Sequence, residues 1–215
     1  MRRLFALFRT RSAAPVEPEP ASPPAAPLPM LDDLRDFIRR DVAGGFFDDD
    51  AVLRNAVEVY ADEIDADTLR VSAQAYLRDA LRDHRAAQAG WPEETDCDRL
   101  DAAFEALEAQ GIVCRQNFTC CGTCGAAEIR DEMDAIEAAG FDVRGYAFYH
   151  AQDTEAAVDG DGLYLNYGAI DDDDDQAVAV GRLVTQELSA HGLKVSWSGD
   201  LAKRIGVFLD WKRRR

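Results

Sequence analysis

The sequence predicts an α+β domain with a helical annex packed against it, and three observations carry that prediction. Apolar residues recur at helical spacing from Met30 to about residue 90. Beyond Trp91-Pro92 the chain alternates helical stripes with short strand-like runs. Glycines at positions 111, 140 and 192 close the helical stripes of that second region. The expected organisation is a disordered basic, Pro/Ala-rich head over residues 1–29, a helical annex over 30–92, an α+β domain over 93–211 with a cysteine-rich turn, and a basic tail over 212–215. A chain of 215 residues is long enough for one good core with room for such an annex.

Each element has its own signal. In the head, the apolar patch Leu4 to Phe8 is broken by Arg9, too short for the apolar stretch of a secretion signal, and Ala13 to Pro29 favours extended, solvated chain. The first helix carries Leu31, Leu34 and Ile38 and stops at Gly44-Gly45. Asp48 to Asp50 then offer caps and N-terminal charge to a helix bearing Val52, Leu53, Ala56, Val57 and Tyr60. A third helix opens near Asp65 with Leu69, Ala73, Tyr76, Leu77, Leu81 and His84 on one stripe, and His84 there is a packing residue. Trp91-Pro92 ends the annex, because the residue before a proline is pushed out of helical geometry.

In the second region, Thr95 with Asp98 forms a capping box for a helix that buries Leu100, Phe104 and Leu107. Ile112 to Phe118 reads as a strand. The next helix spans about Gly125 to Ala139, with Ile129, Met133 and Ile136 inward. Strands are expected at Val143 to Tyr149 and Leu163 to Tyr167, joined through the turn Asp159 to Gly162. Asp171 to Asp175 lack the ligand spacing and central glycine of an EF-hand loop and read as a helix cap for Val180, Val184 and Leu188. His191 closes that helix, and strands follow at Leu193 to Trp197 and Ile205 to Trp211. This order suits a mixed sheet of about five strands with helices on one face, and a ferredoxin-like split βαβ arrangement is the favoured topology.

Charge narrows the partners. The head and tail hold eight of the 24 basic residues but only two of the 41 acidic ones, which leaves 16 against 39 between residues 30 and 211. That body repels phosphate backbones, so no nucleic acid is expected, and a basic protein partner suits it. Membrane contact is expected only through the head, since no stretch approaches a membrane span. The default compartment is the cytoplasm, where thiols stay reduced unless they cycle or hold metal.

The chemistry centres on Asn117-Phe118-Thr119-Cys120-Cys121-Gly122-Thr123-Cys124-Gly125, which places three of the five cysteines within five residues at a strand-to-helix junction. Exposed helix N–H groups there favour a thiolate, and in a dithiol redox role Cys121 would attack and Cys124 would resolve. Glu128 and Asp131, in the expected first turns, oppose that thiolate. The same sulfurs suit zinc, the one candidate cofactor, with Cys120, Cys121 and Cys124 as ligands and His150 or Cys114 completing a tetrahedron. Cys120 and Cys121 point apart in extended chain, so joint ligation needs a sharp local turn. The third reading is packing, the expected role of Cys114, which is in phase with Ile112, while Cys97 near a helix start is incidental. A P-loop, a dinucleotide fingerprint and G-x-S-x-G are all absent.

Thr95 to Phe104, Gly111-Ile112-Val113 and Gln116 to Gly125 with Glu128-Ile129 resemble an uncharacterised bacterial family, best represented in actinobacteria and classed as a domain of unknown function. Gly145 to His150, Asp153 to Glu155, Gly162 to Leu165, Tyr167-Gly168 and Val195 to Ile205 are similar to the same family. The resemblance spans about residues 30 to 211, is most specific at the N-F-T-C-C-x-T-C-G run, and implies a shared fold with no established activity. Two functional classes remain: a cytoplasmic thiol module, zinc-binding or dithiol redox, and a non-enzymatic acidic interaction or inhibitor protein whose cysteines are structural.

Overall fold

The computed structural model describes residues 28–171 and 173–215, so all but the last two residues of the expected head lie outside the described residues. The first three helices are α1 (Leu28–Gly44), α2 (Asp49–Tyr60) and α3 (Ala66–Gln88). Asp48 and Asp65 cap α2 and α3 by accepting from the backbone N–H of Ala51 and Thr68. Their apolar stripes meet in a core of their own, with Leu34, Ile38 and Val42 of α1 against Val52, Ala56, Leu69, Ala73 and Leu77. His84 packs edge-on against Trp91 at the end of this unit.

The remaining elements are α4 (Asp96–Glu108), β1 (Ile112–Arg115), α5 (Gly122–Ala138), β2 (Gly145–Phe148), α6 (Ala151–Val158), β3 (Leu163–Ala169), α7 (Asp174–Ala190), β4 (Lys194–Ser196) and β5 (Ile205–Phe208). The capping box of Thr95 and Asp98 forms in both directions at the start of α4. Asp173 caps α7 through the N–H of Gln176, the role expected of the aspartate run. One five-stranded sheet runs β1-β2-β3-β5-β4, parallel between β1 and β2 and antiparallel elsewhere. The fold is therefore α+β.

Three details differ from expectation. No strand lies between β1 and β2, so the βαβ unit is unsplit: α5 carries the chain back beside its own starting strand. Helices cover both faces of the sheet rather than one. Alternate strand residues make the difference: Ile112, Cys114, Ala147, Leu163, Leu165, Ile205 and Val207 meet α4 and α7, whereas Val113 and Phe148 meet Ile129 and Met133 of α5. Finally, an extra helix, α6, separates β2 from β3. His150 and Asp153 form its capping box, with a ring nitrogen where the familiar pattern has a hydroxyl.

Candidate functional site

The cysteine turn owes its shape to two residues in left-handed geometry, Asn117 at φ +50° and Thr119 at φ +60°. Asparagine tolerates that region, whereas a β-branched threonine pays for it and must be held there. Several hydrogen bonds hold it. The N–H of Phe118 donates to the carbonyl of Tyr149 at 2.8 Å, and the N–H of Ala151 donates to the carbonyl of Thr119 at 3.1 Å. Thr154 Oγ1 donates to Asn117 Oδ1 at 2.8 Å, and Thr119 Oγ1 donates to the carbonyl of Cys121 at 3.1 Å. The turn is thus strapped to the junction of β2 and α6.

These two left-handed residues supply the sharp bend that brings neighbouring cysteines to one side. The ligand atoms of Cys120, Cys121 and Cys124 all lie within 4.8 Å of one another, and Cys120 Sγ stands 3.7 Å from Cys124 Sγ. All five cysteines are free thiols. Among the described residues, this is the group of His, Cys, Asp and Glu side chains spaced to hold a metal ion. Cys120 is exposed, Cys121 and Cys124 half-buried, and Cys97 and Cys114 buried in the core.

Helix α5 begins at Gly122, three residues earlier than expected, which makes Cys121 its N-cap. No hydrogen bond of full geometry caps it, yet the N–H groups of Cys124 and Thr123 face its sulfur and hold its thiol below the ordinary value, helped by the thiols of Cys124 and Cys120. Cys124, sharing protons with Cys120 and Cys121, is pushed up to about 11. The early start also moves Glu128 and Asp131 out of the first turn, which contains no acidic residue, so their expected opposition to the thiolate is weaker than the sequence suggested. Burial raises the thiol of Cys97 to about 11 and that of Cys114 further, and both pack in the core.

His150 is only 8% exposed. Its ring lies beside the turn, since a side-chain carbon built on Gly122 would stand 3.6 Å from His150 Nε2. Its Nδ1 accepts from the N–H of Asp153 at 3.3 Å, which assigns the ring proton to Nε2. Asp153 in turn accepts from the N–H of His150 and from Arg204, whose Nη2 also donates to the carbonyl of Tyr164. The structure therefore brings the three cysteines together and sets His150 against the turn as a helix cap. Cys114 faces the opposite side of the sheet and belongs to the core. Sequence reasoning missed Thr119 as the source of the bend and Asp153 and Arg204 as neighbours of the site. Only the three-residue spacing of His150 and Asp153 offered a signal for any of them.

Fold and site together define a class: an α+β domain carrying a cysteine triad at the mouth of a helix. The chain belongs to the family described as Domain of unknown function (DUF6891), whose model matches residues 29–215. No curated protein and no solved structure matches it. Among the described residues no helix is long and apolar enough to cross a membrane.

Proposed function

We propose that this chain is a cytoplasmic thiol module that binds zinc through Cys120, Cys121 and Cys124. The observation that carries the reading is the convergence of three sulfurs, with one pair at 3.7 Å. In a tetrahedral zinc site with Zn–S bonds of about 2.3 Å, the sulfurs stand about 3.8 Å apart. The Cys120–Cys124 pair already has that edge length, and all three sulfurs lie within 4.8 Å of one another. The N-terminal dipole of α5 and the lowered thiol of Cys121 favour the deprotonated ligands that a metal needs. Three protein ligands leave a fourth position for solvent or substrate, the arrangement of a zinc site that does chemistry or passes its ion on. His150 is the imidazole beside the turn, but its Nε2–H faces Asp153 Oδ2 at 3.1 Å while its Nδ1 accepts the cap N–H, so ligation through Nε2 would require the proton to move to Nδ1 and both Asp153 contacts to break. The acidic body suits a basic protein partner and disfavours nucleic acid.

Metal analysis of protein purified under reducing conditions tests the reading. Zinc near one equivalent is expected, and it should be lost in the Cys120→Ser/Cys124→Ser double variant. Metal-free protein that also gives no thiolate-to-cobalt absorption on Co²⁺ titration would refute it.

A dithiol redox reading is favoured by one observation, the lowered thiol of half-exposed Cys121 beside Cys124. Cys121 would attack one sulfur of a substrate disulfide and expel the other as a thiolate. Cys124 would then attack Cys121 Sγ in the mixed disulfide, releasing the second substrate thiolate and leaving a Cys121–Cys124 disulfide. Incubation with oxidised glutathione should oxidise the metal-free protein and map the new bond to Cys121 and Cys124. A chain that stays fully reduced would discard this alternative.

A further inference from the structure

We propose that the cleft between the first turns of α5 and the open half of the sheet binds a small organic carboxylate. This inference does not rest on the metal reading. The sheet face covered by α5 over β1 and β2 is left bare over β3 and β5, where Tyr164 and Phe208 are exposed. At the boundary lies a cleft of about 110 Å³, lined by Ala126, Phe148, Asn166, Leu201, Lys203 and Arg204 among others. Ala126 contributes the wall from α5, and no residue of the cysteine turn lines the cleft.

Register explains how the polar groups come together. Phe148 of β2 pairs with Asn166 of β3, and Arg204 lies one residue before the Leu165–Ile205 pair of β3 and β5. Strand alternation then puts Phe148, Asn166 and Arg204 in a row across one face. Two of their donors have no acceptor: Asn166 Nδ2 and Arg204 Nε are both shielded from solvent and make no hydrogen bond. Buried donors left unpaired cost free energy; both side chains line this one cleft, and a ligand whose entry shifts them enough to uncover the two N–H groups would supply the missing acceptors. Arg204 Nη2 is meanwhile held by Asp153 and the carbonyl of Tyr164, which fixes the orientation of the guanidinium.

Charge selects the ligand. Lys203 and Arg204 both line the cleft, none of whose lining residues is acidic; Arg204 pairs with Asp153, and Asp200 lies in the turn before Lys203. A carboxylate would take one hydrogen bond from Arg204 Nε and one from Asn166 Nδ2, with its apolar part on Phe148 and Leu201. A phosphate has more oxygens than these two donors can serve, and the apolar wall gives it nothing.

Side-chain ¹⁵N NMR of the full chain, titrated separately with acetate, benzoate and inorganic phosphate, tests this. Running it on both metal-free and zinc-treated protein keeps the outcome separate from metal binding. Saturable shifts of the Asn166 amide and the Arg204 Nε–H are expected with acetate or benzoate. Asn166→Leu, which keeps the bulk and removes the donor, should weaken binding about tenfold, and Arg204→Lys, which keeps the charge and removes the Nε donor, should do likewise. Circular dichroism melts confirm that each variant is folded. Absence of saturable carboxylate binding overturns the proposal, as do phosphate binding in preference to both carboxylates and unchanged affinity in Asn166→Leu.

Discussion

Five cysteines of identical covalent structure divide into two populations because their surroundings differ. Burial of Cys97 and Cys114 disfavours the thiolate, whereas helix N–H groups favour it at Cys121. Reaction with iodoacetamide follows the thiolate. In metal-free native protein near pH 7, mass spectrometry is expected to find Cys121 alkylated first and Cys97 and Cys114 unmodified until the chain is denatured. Early labelling of either buried thiol would contradict the burial described for it. Cys121 labelling should accelerate as pH rises through its lowered value and level off before that of an ordinary thiol. The sequence placed Cys114 inside by strand phase, but it offered nothing to bury Cys97, against which the C-terminal residues Lys212 and Arg213 lie.

At the scale of elements, the start of α5 shows how packing sets a boundary. Gly125 sits over the ring of Phe148, and a Cβ there would stand 2.5 Å from Phe148 Cε2. Phe148 is fully buried and has little room to yield. Gly125→Ala is therefore expected to destabilise the protein by about 2 kcal/mol, read as a lower urea midpoint. If the triad holds zinc as proposed, the same substitution should weaken that binding, by tilting the turn that aims the sulfurs. The helix α4 makes a prediction about pH. The N–H of Thr95 holds the Asp98 carboxyl below the usual carboxylate range, assisted by the Thr95 hydroxyl and by Arg214. Because the folded-state value lies below the unfolded one, this contribution is complete above the unfolded pKa of about 3.9 and is lost as pH falls through the depressed value. Asp98→Asn should lower stability at pH 7 and flatten the acid limb of a stability–pH profile below pH 4. A parallel downward shift of the whole profile would show that Asp98 is not a source of that limb. Among elements, α6 was not legible in the sequence, because a histidine ring nitrogen serves as its cap acceptor and eight residues carry little periodicity.

Across the whole molecule, the basic C-terminal residues join the helical unit to the sheet. Arg213 is mostly buried, donates to Asp101 and Gln116, and stacks 4.7 Å from the ring centroid of Phe46. Trp211 Nε1 donates to the carbonyl of Ala43 at 3.0 Å, and Arg215 pairs with Asp49. Together these residues span α1, α2 and α4. Replacing Arg213 with alanine removes the stacking and leaves Asp101 and Gln116 short of a partner, and a loss of about 2 kcal/mol is expected. Hydrogen exchange should then show α1 to α3 opening more readily than the sheet. Uniform exchange in the variant would mean that the tail does not couple the two cores. Composition alone revealed the tail as basic, but its contacts reach more than a hundred residues back along the chain.

The sequence by itself determined the α+β class, the helical stripes, the glycine stops, the Thr95 box and the crowding of three cysteines into one turn. Those features follow from periodicity, capping and covalent proximity, all of which act over a few residues. Only the tertiary structure decided that β1 and β2 lie side by side and that helices cover both faces. It alone turned Cys120 toward Cys124 and set Asn166 beside Arg204. These outcomes depend on strand pairing and on a strained turn strapped to β2 and α6, so they arise between segments distant in sequence and leave no local trace.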